Sequence, residues 1–307
     1  MAPEDEEDSI RPGLTGFDVP PEFPPPSATV QVTFGAQSRR GRSRPINEDH
    51  YLVMRIGRNQ ETLLTSIPDD VVAKRFDEYG YAMVVADGLG GSGSGETASR
   101  LALATLVYLV RHFSKWNLRI NQRIANEIMD RAELFYRHVD SAVVHKALTG
   151  PTPGLQTTLT ATFGAGRDLF FAHVGHSRAY LFREGHLMRL TRDHTIGRSR
   201  TTSVPVAPLV DLNATARDLK HILTNTIGMR GSVGPAIDLE RFKLADQDVV
   251  LVCTNGLTDA LEESTIAKVL ASRESPDAES RALVDLAMAS GADDDVTALV
   301  AEYRIPS

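Results

Sequence analysis

The chain has 307 residues, 42% hydrophobic and 24% charged, enough to bury one large core or two small ones. Its formal net charge of -7 argues against a general nucleic-acid binder. The single cysteine, Cys253, excludes a disulfide framework within the chain and fits a reducing cytoplasm. The longest apolar run, 101–110, is too short to span a bilayer, and the acidic N-terminus is wrong for a signal or transit peptide, so no membrane partner is expected. Residues 1–27 are acidic, then proline-rich, and lack apolar periodicity. They read as a disordered or extended tail.

Beyond the tail, Ala28–Phe34 alternates and is β-branched, which predicts a strand. A basic loop follows, with Arg39, Arg40, Arg42 and Arg44, and then Glu48, Asp49 and a second apolar run, Tyr51–Ile56. Residues 57–78 read as a hairpin excursion or a short helix. Ser94–Phe113 has helical periodicity, with Glu96 near its start and Arg111 and His112 near its end, as the macrodipole favours. Leu118–Leu148 predicts a longer amphipathic helix with Ile120, Ile124, Ile128 and Leu134 in step, ended by Gly150 and Pro151.

The period then switches to two. Thr157–Phe163, Leu169–Val174, Ala179–Arg183 and Leu187–Leu190 read as an antiparallel meander, and 193–217 as a mobile loop or flap. Strands are expected at Ile237–Leu244, Val249–Thr254 and Val296–Tyr303, and helices at Leu261–Leu270 and Ala278–Ala289. The order defines an α+β protein with antiparallel sheets covered by helices.

One stretch organises this pattern. The apolar run Ala82–Ala86 ends on Asp87, and Gly88, Gly90, Gly91, Gly93 and Gly95 follow before a helix. A strand holds such a carboxylate rigidly, and glycines let backbone carbonyls approach an ion closely, which suits a hard divalent cation. A rival reading is the dinucleotide fingerprint at Gly88, Gly90 and Gly93. Asp87 would repel a pyrophosphate there, and the acidic residue expected about 20 positions later falls within helix.

Asn255 and Gly256, after the run Val249–Thr254, and Asp293, Asp294 and Asp295, just before Val296–Val300, also sit where strands meet solvent, and Glu48 and Asp49 form a further acidic point. Singly, each is most often a turn or cap residue. Together, beside an arginine-rich loop, they suggest a two-metal hydrolytic site acting on phosphate.

The blocks Arg44–Asp49, Ala86–Gly91 with Gly95–Ser99, Thr157–Thr158, Val174–Arg183, Leu190–His194, Cys253–Asp259 and Asp294–Thr297 occur in an order that resembles metal-dependent serine/threonine protein phosphatases of the protein phosphatase 2C type, in their bacterial form. The resemblance covers about 28–304, nearly the whole chain beyond the tail, and marks it as the catalytic domain. It implies two antiparallel sheets packed as a sandwich and flanked by helix pairs. It also implies two Mn²⁺ or Mg²⁺ ions roughly 4 Å apart. Asp87 would bridge them, and the Gly88 carbonyl would hold one. Positions 255 and 294 would hold the other, with Glu48 and Asp49 acting directly or through waters. Arg44 would grip the phosphate, and a metal-bridging water would attack phosphorus. Phosphoproteins are the implied substrates, with a Ser/Thr kinase or a sigma-factor regulator as the implied partner.

Two positions depart from the pattern. His176 and Asn255 stand where the resembled proteins carry aspartates associated with a third, loosely held metal, and the aspartate at 255 also ligates a core ion. His176 is therefore a candidate for a third-metal ligand or for that metal's replacement, and the third site is expected to be weak. His173 and His176, three apart on a strand, point to opposite faces and are not a chelating pair. His194, after Asp193, is a candidate general acid beside a commoner reading as a structural loop histidine. The alternative to an active phosphatase is a catalytically weak regulator that binds phosphoproteins on the same fold.

Overall fold

The computed structural model describes residues 30–306 apart from 69–70, 73, 91–92, 115–119, 197–221 and 230–233. The tail at 1–27 and most of the loop expected at 193–217 lie outside the described residues.

The strand β3 (Arg75–Leu89) shows why the chain forms layers. Met83 and Val85 pack with Leu181, Val252 and Leu299, whereas Val84 and Ala86 pack with Leu103, Phe135 and Tyr136. Successive side chains of a strand point to opposite faces, so a strand covered on both sides is apolar throughout. The first set lies between two sheets, and the second lies between a sheet and a helix pair.

One sheet has the order β1 (Gln31–Arg39), β11 (Val296–Arg304), β10 (Val249–Cys253), β7 (Arg178–Arg183), β8 (His186–Arg189). The other runs β2 (Asp49–Glu61), β3, β5 (Leu159–Ala165), β6 (Asp168–Val174), β9 (Asp238–Lys243), and the short β4 (Gln156–Thr157) pairs with the end of β3. All these pairings are antiparallel. Helices α1 (Ser94–Phe113) and α2 (Gln122–Thr149) cover the second sheet. On the first sheet, α4 (Glu263–Leu270) and α5 (Pro276–Ala289) bury Ile266, Leu270, Leu283 and Val284 against Leu251, Ala298 and Val300. The result is the α-β-β-α sandwich expected from the sequence.

Several local expectations change. The excursion at 57–78 is a hairpin, because β2 and β3 pair as far as Glu61 with Arg75. The meander is two hairpins in different sheets: β5–β6 belongs to one and β7–β8 to the other, so the chain crosses the sandwich at Gly175–Ser177. The α2 helix begins at Gln122, where the Asn121 side chain caps it by accepting from the Ile124 amide at 2.8 Å. Its buried face is Ile124, Phe135, Tyr136, Val139 and Val143, while Leu134 is 52% exposed. A short helix α3 (Asn255–Ala260) follows β10, so Asn255 opens a helix rather than a loop.

The dinucleotide reading of the glycine stretch does not survive. Both full-length neighbours of β3 are antiparallel, and α1 leads into α2 rather than a second parallel strand. Among the described residues, no helix is long and apolar enough to cross a membrane.

Candidate active site

The ends of β2, β3, β10 and β11 meet on one rim. Asp49 and Asp87 are direct register partners across β2 and β3, and β3 continues two residues past Asp87, pairing Gly88 with Thr157 and Leu89 with Gln156. Asp87 is thus held inside a ladder rather than at a strand end. Its amide donates to Thr158 Oγ1 at 3.1 Å, and its carbonyl accepts from the Thr158 amide at 2.9 Å and from Thr157 Oγ1 at 2.8 Å.

Gly88 and Gly95 serve packing. A Cβ on Gly88 would stand 2.1 Å from the Gly95 carbonyl oxygen, and one on Gly95 would stand 2.8 Å from the Glu48 carboxyl carbon. Only two glycines let the start of α1 press this closely on β3. Glu48 is fixed in the same place, since its carbonyl accepts from the Gly88 amide at 3.2 Å and from Ser99 Oγ at 2.7 Å.

Asp49 Oδ2 accepts from Thr254 Oγ1 at 2.8 Å and from Thr297 Oγ1 at 2.7 Å. Arg44 spans the opening, with Nε donating to Asp294 Oδ1 at 2.7 Å and Nη1 lying 3.5 Å from Glu48 Oε2. Asn255 Nδ2 donates to Asp259 Oδ2 at 3.1 Å and lies 3.5 Å from Asp294 Oδ2. His176, on the turn between the sheets, places Nδ1 3.7 Å from Asp87 Oδ2. The geometry therefore gathers Arg44, Glu48, Asp49, Asp87, Gly88, His176, Asn255 and Asp294 around one opening. It continues into a cleft of about 770 Å³ that Asp259 and Glu262 also line.

The electrostatics are unfavourable for the protein alone. Burial pushes the Asp87 carboxyl well above the usual carboxylate range, and the charges of Asp49 and Asp294 push it further. Burial likewise raises Asp49, against the lowering effect of its two threonine donors. Glu48 is raised by burial and partly relieved by Arg44.

Among the described residues, no three His, Cys, Asp or Glu side chains already converge as a coordination shell. The donor set nevertheless fits a hard cation. Asp49 Oδ1, Asp87 Oδ2 and Asn255 Oδ1 are buried oxygens without a hydrogen-bond partner. Buried acceptors of this kind are costly unless something satisfies them, and oxygen ligands are what Mn²⁺ or Mg²⁺ takes.

His173 is separate from this group, as its strand position predicts: Nδ1 pairs with Thr160 Oγ1 at 2.8 Å and Nε2 with the Arg192 carbonyl at 2.9 Å. His194 meets the Gly175 amide through Nδ1 and Asp238 through Nε2. Both ring nitrogens are engaged within the fold, and the general-acid role gains no support from this geometry.

Asp295, grouped by its position with the metal-competent acids, has a structural task. Its Oδ1 accepts from the Gly41 amide at 2.9 Å and its Oδ2 from the Glu48 amide at 2.7 Å, so it staples the arginine loop to β11. Asp295 immediately precedes β11, and Thr297 within that strand bonds Asp49 of β2.

These contacts define a rim of acids and one arginine at the open end of an α-β-β-α sandwich. The protein phosphatase 2C profile matches residues 65–287, and the chain belongs to that family. Over 221 residues it is 29% identical to the serine/threonine protein phosphatase PstP of Mycobacterium tuberculosis, a match covering 72% of this chain and 40% of the mycobacterial protein. The chain therefore spans well under half the length of that relative. Over 224 residues it is 27% identical to the serine/threonine phosphatase stp of Listeria welshimeri, covering 73% of this chain and 84% of the relative. The catalytic domain of PstP, solved in complex with two manganese ions, superposes with a TM-score of 0.65 at 25% identity, covering 90% of this chain and all of that domain. A Streptococcus agalactiae serine/threonine phosphatase gives a TM-score of 0.66 at 23% identity, a likeness of fold.

Proposed function

We propose that this protein is a metal-dependent phosphatase hydrolysing phosphoserine and phosphothreonine in proteins. The observation that carries the reading is the buried pair Asp49 and Asp87, each with one carboxylate oxygen left for a ligand, beside an arginine at a solvent opening. Family membership and the names of the relatives support it.

In this reading Glu48, Asp49, Asp87, Gly88, Asn255 and Asp294 would hold two divalent ions. Bound ions supply Lewis-acid charge to the phosphoryl oxygens and lower the pKa of water to near neutrality. The chain's own residues do the rest. Arg44 exchanges its pairing with Asp294 and Glu48 for two phosphate oxygens, a geometry its planar fork suits. Asp295 and the Gly88–Gly95 contact keep the acids in place. His176 sets an imidazole beside Asp87 where related proteins are expected to carry an aspartate for a third ion, and we assign it the role of replacing that ion.

A cytoplasmic setting and a partner Ser/Thr kinase or sigma-factor regulator belong to the same proposal. Cys253 ends a fully buried strand, and burial pushes its thiol up to about 12, which suits a residue with no redox task.

The test is hydrolysis of a phosphothreonine peptide during a Mn²⁺ titration. Turnover that depends on Mn²⁺ and is lost in Asp87→Ala supports the reading. Peptide binding without turnover at any Mn²⁺ level would establish the phosphoprotein-binding regulator instead.

A further inference from the structure

His194 is held on several sides. The Gly175 amide lies 3.2 Å from Nδ1, the Asn225 side-chain nitrogen 2.9 Å from the same atom, and Asp238 Oδ2 3.2 Å from Nε2. The His173 ring packs beside it, with centroids 5.0 Å apart. A backbone N–H can only donate, so Nδ1 is an acceptor and the ring proton sits on Nε2, donating to Asp238. The main chain repeats the tie. The His194 amide donates to the Gly175 carbonyl at 2.8 Å, and the Thr224 amide donates to the His194 carbonyl at 2.9 Å. Asn225 is itself fixed by exchange with the Ala236 backbone, donating to its carbonyl at 2.6 Å and accepting from its amide at 3.2 Å.

The turn that His194 grips has little freedom. Gly175 has φ +118, a conformation side chains rarely adopt, and a Cβ there would stand 2.5 Å from Thr158. Thr158 blocks the turn on one side and His194 backs it on the other. What the turn carries next is part of the candidate active site. Ser177 Oγ lies 2.9 Å from Thr158 Oγ1, which takes the Asp87 amide, and His176 Nδ1 lies 3.7 Å from Asp87 Oδ2.

We propose that His194 is a positioning residue for the phosphatase reaction. Clamped by Asp238 and Asn225, it fixes the Gly175–Ser177 turn and through it sets His176 and Thr158 against Asp87. This rests on the phosphatase reading above. It gives the histidine a task in placing the site and none in proton transfer to the leaving group.

Two variants separate the halves of the clamp. His194→Asn keeps an acceptor near the Nδ1 position for Gly175 and gives up Asp238. His194→Gln keeps a donor near Nε2 for Asp238 and gives up Gly175. With a phosphothreonine peptide and saturating Mn²⁺, His194→Gln should lower kcat about tenfold or more with KM within about threefold. His194→Asn, which keeps the Gly175 contact, should lose less, with kcat down about threefold and KM little changed. Amide exchange at Gly175 should quicken about tenfold in His194→Gln while the β10 amides keep parental protection. Imidazole ¹⁵N shifts of the parent should show Nδ1 unprotonated.

A protonated Nδ1, unchanged Gly175 exchange in His194→Gln, or equal losses of kcat in the two variants would each overturn the positioning role. If His194→Gln does not fold, Asn225→Ala takes its place: a kcat drop with faster Gly175 exchange supports the clamp, and parental values for both overturn it. A parent without turnover at any Mn²⁺ concentration sinks the phosphatase reading and this role with it. An active parent with indifferent His194 variants sinks this role alone.

Discussion

Asp49 and Asp87 face each other across β2 and β3, both buried, and each keeps one carboxylate oxygen without a hydrogen bond. Two carboxyls in that position favour the protonated form, because burial penalises charge and Asp49 adds repulsion at Asp87. The folded protein then holds more protons than the unfolded chain between the ordinary carboxylate range, near pH ~4, and the raised values. In that window these two groups make stability fall as pH rises.

Other carboxylates work in the opposite sense, so the difference between two proteins is the cleaner measure. In chelator, Asp87→Asn should gain stability relative to the parent as pH goes from 5 to 8, by roughly 1.4 kcal/mol for each unit by which the Asp87 pKa is raised. Saturating Mn²⁺ should reverse the order at pH 8. Differential scanning calorimetry with and without metal decides it, and a parent that outlasts Asp87→Asn at pH 8 in chelator would contradict the account.

The same carboxylate should be indispensable to turnover. Asp87→Ala should lose at least about a hundredfold in kcat, the scale on which removing one transition-state contact acts. Its backbone bonds to Thr157 and Thr158 do not involve the side chain, so the far-UV spectrum should be unchanged. Parental kcat at equal Mn²⁺ would remove Asp87 from the chemistry.

Arg44 is bonded to two of the acids expected to hold metal, which gives its removal two consequences. Without the clamp, KM for a phosphopeptide should rise about tenfold, or roughly 1.4 kcal/mol, with a smaller fall in kcat. Without the competing guanidinium, half-saturation by Mn²⁺ measured calorimetrically should fall. Arg44→Lys should not restore KM, since an ammonium cannot make the paired bonds. An unchanged KM in Arg44→Ala would leave the arginine with a structural salt bridge and nothing more.

The layers were legible in the sequence because β3, β10 and β11 are apolar runs bounded by turn residues, while α1 and α5 carry clear helical periodicity. The positions proposed to hold metal stand out for a related reason: Asp87, Asn255 and Asp294 each stand where such a run meets polar sequence. The crossing at Gly175–Ser177 was hidden. Local alternation is the same whether neighbouring strands pair or part, and only the packing of Leu181 against Met83 rather than against the helices decides it. The short helix α3 was hidden because six residues are too few for a period to show. The support for Asp49 was hidden as well, since Thr254 and Thr297 lie 205 and 248 residues from it in sequence.

Asn255 supplies the last prediction. Its Nδ2 ties Asp259 and Asp294 together, and its Oδ1 is buried without a partner. The amide thus does two things at once: it quiets repulsion between two acids and offers one neutral oxygen to a cation. Asn255→Asp would exchange both. The donor is lost and a third carboxylate is set beside the other two, so the metal-free protein should lose thermal midpoint at pH 8. Divalent affinity rises with ligand charge, so the Mn²⁺ dissociation constant should fall about tenfold, or roughly 1.4 kcal/mol. His176→Asp alone should shift affinity less, because position 176 meets Asp87 from the neighbouring turn and 255 meets Asp294 directly. Both changes alter the charge around one opening, so the double variant should depart from the sum of the singles. Calorimetric Mn²⁺ titration of all four proteins reads this without relying on turnover. A double variant that binds Mn²⁺ like the parent would place Asn255 outside the metal shell, and the oxygen it leaves unpaired would then need another partner.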